Sequence, residues 1–425
     1  MVYKIFSLFL SLFLFSFTFA QNLKDQHGKN NPFSKLSVTG YIQPQWQVGE
    51  RFASLQVGKQ IQEDDQDALF NRVGIRRGRI KFFYDDGNLG SGGFQFNVVD
   101  KPGLEGAQVQ IKELYLNLKA SWNKTSSIQA GVFNRPFSFE INYSTSSLES
   151  PERARIISSL LPDECDLGVM LILNPGEDSP FHFMTFKGGF FAGNGINPET
   201  DNRKDFIGQL TASTSVGKLH VGAGISYYNG GVYQTNDSVY SMNGNKFTLD
   251  VNETNKGAYA KREYLGFDAQ IDYHSVLGFT QLRGEYLFGS QPGTAETNCS
   301  PSRSQLPLYE DTYIRPFSGG YVMLVQSIGN SPFSAVVKYE SYDPNTSVDK
   351  SEIGTMGSAT GIADLQYNTL GIGAFWQITS DIRATLYYDV VTNETSGLLY
   401  SGSYLKDYTI DIKDNIFTFR VQYKF

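Results

Sequence analysis

The stretch from Asn415 to Phe425 constrains the fold more than any other. Phe417, Phe419, Val421, Tyr423 and Phe425 alternate there with Thr418, Arg420, Gln422 and Lys424. A strand turns successive side chains to opposite faces, so this segment carries one wholly apolar face and one wholly polar face. Such a strand closing on an aromatic residue fits an outer-membrane β-barrel. Phe425 would then be the mark by which barrel-assembly machinery takes up the chain.

The other end agrees. Lys4, the apolar run Ile5 to Phe17 and the small-residue site Thr18-Phe19-Ala20 have the form of a secretory signal over residues 1–20, with cleavage expected after Ala20. The run is short for a spanning helix, and polar Gln21-Asn22 follows at once. Residues 21–35 read as a polar tether and 36–425 as the barrel domain. No later run of about 20 apolar residues offers a transmembrane helix. A membrane protein without such helices must be a closed barrel, because lipid cannot satisfy an open sheet edge. With 25 Tyr, 32 Phe and 42 Gly but only 40% hydrophobic residues, the composition suits a wall that is apolar on its outer face alone.

Alternation recurs along the chain. Leu36, Val38, Ile42 and Trp46 face opposite to Ser37, Thr39, Tyr41, Gln43, Gln45 and Gln47; Phe267, Ala269 and Ile271 face opposite to Asp268, Gln270 and Asp272. Sixteen candidate strands follow, near residues 36–48, 72–84, 93–100, 109–119, 126–133, 166–173, 181–191, 207–215, 218–228, 264–274, 279–288, 319–328, 333–341, 367–377, 381–391 and 415–425. Their connections alternate between tight turns, such as Val216-Gly217 and Ser275–Gly278, and long loops, such as Gly49–Asn71, Asn134–Cys165 and Asn229–Glu263. Short periplasmic turns and long outer loops are the pattern of outer-membrane barrels. The predicted fold is therefore an all-β, transmembrane, antiparallel barrel of about sixteen strands in a Gram-negative outer membrane. That strand number encloses an aqueous lumen. No segment is left over for a plug domain.

The third long loop, Asn134 to Cys165, exceeds an ordinary connection. It is poor in glycine and carries Phe137, Phe139, Ile156, Ile157, Leu160 and Leu161. Such a loop should fold against the nearest surface, the inner wall, and constrict the pore; the alternative is an exposed surface loop. Strand parity points Arg77, Arg79, Lys81, Lys187, Arg283, Lys338, Arg383 and Arg420 into the lumen, and Arg135, Arg153 and Arg155 lie on the loop. A cation cluster in a low-dielectric neck favours anions. Glu113, Asp268, Asp272, Glu285, Glu340 and Asp389 share the inward parity, so the same charges also fit a solvated wall of cross-strand salt bridges.

The stretch Gln129-Ala-Gly131-Val-Phe133-Asn-Arg-Pro136-Phe137-Ser138-Phe-Glu140, with Glu152-Arg153 and Asp166-Leu-Gly168-Val169, resembles the phosphate-selective porin O and P family. Ile111-Lys112-Glu113-Leu114-Tyr115, Phe191-Ala-Gly193-Asn194-Gly195, Phe267-Asp268-Ala269-Gln270-Ile271, Gly284-Glu285-Tyr286, Lys338-Tyr339-Glu340 with Asp343-Pro344, and the closing strand also fit, in order, over nearly all of the mature chain. The resemblance implies a sixteen-stranded barrel, a homotrimer, an inward third loop and a ladder of basic residues guiding anions. This chain departs from the pattern in two places. Cys165 stands where the family often has a basic residue, and the first loop carries Glu63, Asp64, Asp65 and Asp67, which would repel phosphate.

The expected function is passive diffusion of small hydrophilic solutes, with a possible anion or phosphate preference. The alternatives are a surface-loop adhesion or structural protein, and a specific sugar or peptide channel in which Tyr41, Tyr115 and Tyr387 form a stacking track. Four scattered histidines show no metal-ligand spacing, and no nucleophile motif occurs. No enzyme activity and no cofactor are expected. The net charge of −7 disfavours a nucleic-acid partner. Cys165 and Cys299 are too few for a disulfide framework, and whether they pair is left open.

Overall fold

The computed structural model describes residues 32–58, 68–99, 108–299, 310–396 and 404–425. The proposed signal and most of the tether lie outside the described residues, as does the acidic run of the first loop. The strands are β1 (Leu36–Gly49), β2 (Phe70–Asp85), β3 (Gly90–Val99), β4 (Gln108–Lys119), β5 (Ser127–Asn134), β6 (Cys165–Leu173), β7 (Met184–Phe191), β8 (Asp205–Val216) and β9 (Leu219–Tyr233), then β10 (Ser238–Asn243), β11 (Lys246–Val251), β12 (Tyr259–Ser275), β13 (Gly278–Gly293), β14 (Thr312–Ser327), β15 (Phe333–Asp343), β16 (Tyr367–Gln377), β17 (Ile382–Asn393) and β18 (Ile416–Lys424). Among the described residues no helix is long and apolar enough to cross a membrane.

Sixteen of these strands form one antiparallel barrel. Each pairs with its chain neighbour, β9 pairs with β12, and β1 closes the ring on β18 through Tyr41↔Lys424 to Gly49↔Ile416. The sixteen-strand expectation holds, and every predicted strand has its counterpart. The remaining two strands, β10 and β11, are a hairpin in the long connection after β9. Sequence reading left that connection irregular. The hairpin lies parallel to the upper part of β14, through Val239↔Thr312 to Ser241↔Ile314, with Tyr240 stacked on Tyr313.

Burial follows the pleat. Gln43, Gln45, Gln47, Thr418, Arg420 and Gln422 are buried inside, while Ile42, Trp46, Leu114, Leu116, Leu118, Ile372 and Tyr388 are exposed outside. A continuous apolar outer face is unstable in water and is what lipid requires. Short turns close the other edge: Gly217, at φ 61°, supplies the left-handed residue that lets Val216 and Leu219 pair directly.

Two β-bulges break the alternation. In β2, Gln43 pairs with Arg77 but Pro44 pairs with Ile75, leaving Arg76 as the extra residue. In β4, Gln95 pairs with Glu113 and Phe96 with Ile111, leaving Lys112 extra. A bulge sets two consecutive residues against one and re-aims a side chain. Here each adds an inward cation that strict parity would send to lipid.

Candidate functional site

The segment between β5 and β6 folds into the barrel. It holds two short helices, α1 (Phe139–Asn142) and α2 (Arg155–Leu160). Phe137, Ile141, Ala154, Ile156, Ile157, Leu160 and Leu161 are at most 2% exposed and share one core with wall residues such as Tyr228, Tyr264, Phe317 and Tyr321. Burying each large apolar side chain contributes roughly 1.5–3 kcal/mol, so these contacts drive docking. Phe137 reaches across to β9 and β12, edge-on to Tyr228 and Tyr264 at 6.2 and 6.1 Å between ring centroids. Ser138 takes a left-handed φ of 66°, with its N–H donating to Ser226 Oγ and its carbonyl accepting from Asn142 and Gln209. The inward third loop is therefore present.

Polar contacts then fix where the loop sits. Glu152 accepts from Arg76 (2.8 Å), Arg77 (2.6 Å) and Arg420 (2.8 Å). Glu164 pairs with Arg79 (3.5 Å), Lys112 (3.0 Å) and Arg153. Glu149 takes Arg283 at 2.8 Å, and that guanidinium also lies over the rings of Phe139 and Tyr143. Glu140 faces Lys338 at 3.4 Å and accepts the Ala154 N–H at 2.8 Å. Arg383 donates to the carbonyls of Ser146 and Leu148. At the root, Arg135 bonds Asp166 at 3.1 Å, next to the buried Arg262–Asp205 pair. A buried pair adds little net stability but penalises every arrangement that breaks it. Apolar burial thus holds the loop in the barrel, and the ion pairs choose its register on the wall.

This arrangement gives the eleven predicted cations distinct placements. Arg77, Arg79, Lys81, Arg135, Arg153, Arg283, Lys338 and Arg420 each bond a carboxylate, Lys81 reaching Glu113 across β3 at 2.6 Å. Arg383 bonds loop carbonyls, Lys187 points inward, and Arg155 lies over Tyr367 at 4.1 Å from the ring centroid. Sequence reading missed Arg76 and Lys112, although two adjacent charges within a strand are themselves a bulge signal. It also missed the loop carboxylates Glu149, Glu152 and Glu164, whose partners lie far away in sequence. Cys165 and Cys299 are both free; Cys165 is buried, with its thiol donating to Asn134 Oδ1.

The loop leaves a cavity of about 330 Å³ on one side of the lumen, partly open to solvent. Ser150 to Arg153 and Arg155 line it from the loop; Arg76, Lys338, Glu340, Tyr387 and Asp389 line it from the wall.

Burial works against ionisation of Glu152 and Glu164. Arg76, Arg77 and Arg420 around the first, and Arg153, Lys112 and Arg79 around the second, outweigh it and hold both carboxyls well below the usual carboxylate range. A carboxyl lowered in the folded state stabilises docking fully above its ordinary value of 4.5 and loses that effect only as pH falls through the lowered value. Docking of the loop, read as protection of its backbone amides from hydrogen exchange, should therefore stay flat from pH 7 down to about 4.5 and weaken only in stronger acid. A step between pH 6 and 5 would contradict this account.

No family model matches the chain, and no curated protein matches it. Among solved structures, the barrel is similar to the outer membrane channel DcaP of Acinetobacter baumannii (TM-score 0.54, 11% identity, covering 92% of this chain and 97% of that one). It is also similar to the anion-selective porin from Comamonas acidovorans (0.53, 10%, 92% and 99%) and to Pseudomonas putida OprB (0.50, 10%, 92% and 94%). At these identities the likeness establishes the fold: a closed, sixteen-stranded barrel of the kind seen in Gram-negative outer-membrane porins.

Proposed function

We propose that this chain is an outer-membrane porin through which small hydrophilic solutes diffuse passively. The observation that carries the reading is the docked loop, which folds against the inner wall and leaves beside it a polar cavity partly open to solvent. A purely structural or adhesive barrel gains nothing from ten or so polar anchors that hold a loop against its inner wall. The signal peptide, the homotrimer and membership of the phosphate-selective porin O and P family belong to this proposal, resting on the sequence features above.

Phosphate preference is weak in this reading. Eight of the eleven predicted cations are bonded to carboxylates, and all of these but Lys81, whose partner Glu113 is on the wall, help to hold the loop, which leaves Arg155, Lys187 and Arg383 to shape the anion path. An ion-paired guanidinium has little remaining field for a passing anion. The purified, refolded protein in a planar bilayer under a KCl gradient should conduct with a small reversal potential, and added phosphate should leave chloride current unchanged. Absence of conductance would overturn the porin reading. A large anion-selective potential with phosphate block would overturn the assignment of the ladder to loop anchoring.

A further inference from the structure

We infer that the lateral cavity binds a small zwitterion, a solute bearing one carboxylate and one ammonium group, such as a free α-amino acid. Its role in transport rests on the channel reading above; the binding rests on the cavity's own chemistry.

Seven charged side chains face the cavity, and five of them are committed. Arg76 holds Glu152 at 2.8 Å, Lys338 holds Glu340 at 3.2 Å, and Arg153 is bonded to Glu164. Two remain. Arg155 and Asp389 have no ion-pair or side-chain hydrogen-bond partner among the described residues, and they carry opposite charges. Arg155 lies with its guanidinium 4.1 Å from the Tyr367 ring centroid. Stacking occupies a face of the guanidinium and leaves its N–H edge free to grip a carboxylate with two parallel bonds. Asp389 points inward from β17, and the Tyr387 side chain occupies the space over its cross-strand partner Gly371 on β16.

A second observation is independent of the charges. Tyr342 and Tyr387 line the same cavity and are each only 2% exposed, yet neither hydroxyl has a hydrogen-bond partner. Unpaired buried hydroxyls are costly, and they concentrate where a polar ligand completes them.

The charge arrangement selects among solutes. A simple anion on Arg155 would face Glu152, Glu340 and Asp389. A simple cation on Asp389 would face Arg76, Arg153, Arg155 and Lys338. A zwitterion satisfies both free groups and adds no net charge to a confined, low-dielectric space. A neutral sugar would leave both charges unanswered. The volume, about 330 Å³, lies at the small end of ligand pockets and suits a solute of amino-acid size.

The test uses the full chain in detergent and saturation-transfer NMR with three probes: L-glutamine, N-acetyl-L-glutamine with the carboxylate alone, and L-glutaminamide with the ammonium alone. L-glutamine should bind about tenfold more tightly than either analogue, because each analogue forfeits one charge-assisted contact. Arg155→Gln should remove the preference over L-glutaminamide, and Asp389→Asn the preference over N-acetyl-L-glutamine. The two residues lie on different elements, so misfolding of one variant leaves the other to decide. Equal binding of the three probes, or a preference that survives in a folded variant, overturns the inference. KCl conductance is read separately. A protein that conducts but binds the probes alike loses only this inference, and one that discriminates among them without conducting loses only the porin reading.

Discussion

Glu152→Gln is expected to make the channel strongly anion-selective. The Glu152 carboxylate is bonded to Arg76, Arg77 and Arg420, and the last two are 6% and 3% exposed. Glutamine keeps the shape and removes the charge, so three guanidiniums lose their shared counter-ion where the loop meets the wall. Removing one partner of a buried pair costs about 3–5 kcal/mol, and partial exposure of Glu152 places this case at the lower end. The system can relieve that cost by drawing anions from solution. The chloride-to-potassium permeability ratio should rise roughly tenfold, measured as a shift in reversal potential under a KCl gradient. An unchanged ratio would mean that these arginines do not sense the permeating solution.

Phe137→Ala should have the second large effect, on the loop rather than the charge. Phe137 is fully buried against Tyr228 and Tyr264, only three residues beyond the end of β5. Truncating a buried Phe costs about 3–5 kcal/mol, comparable with the contribution of two of the loop's other apolar anchors. The strand ladder does not depend on this side chain, so the barrel should keep its resistance to heat in detergent. Single-channel conductance should instead rise and become variable as this part of the loop loosens from β9 and β12. A variant with unaltered, steady conductance would show that the ion pairs alone suffice to hold the loop.

The sequence was read most successfully where the physics is local. A strand's two-residue period, its turns and the alternation of short and long connections are all written in neighbouring residues, and they yielded sixteen strands with only the ends displaced. β9 and β12 run well past their predicted limits, to Tyr233 and from Tyr259, because their upper parts pair with each other above the apolar belt where polar residues are tolerated. The β10–β11 hairpin escaped notice because six-residue strands on an outer loop need no apolar face toward lipid. At the site, the inward loop was legible from its apolar content. Its fastening was not: Glu152 meets residues about 75 and 268 positions away, and nothing local in sequence links them. Eight of the predicted cations are bonded to carboxylates, and parity alone cannot distinguish a cation free to meet solute from one already bonded.

The two bulges carry a consequence for how such a pore diversifies. Elsewhere in a strand, losing one residue would turn every side chain on one side of the gap to the wrong surface, exposing charge to lipid and apolar groups to water. At Arg76 and Lys112 the extra residue has no cross-strand partner, so its loss would remove one cation and leave its neighbours facing as before. Single-codon insertions and deletions at these two points thus become a unit of variation in their own right. They allow a lineage to step the charge of the passage up or down by one while strand number, loop length and outer surface stay constant.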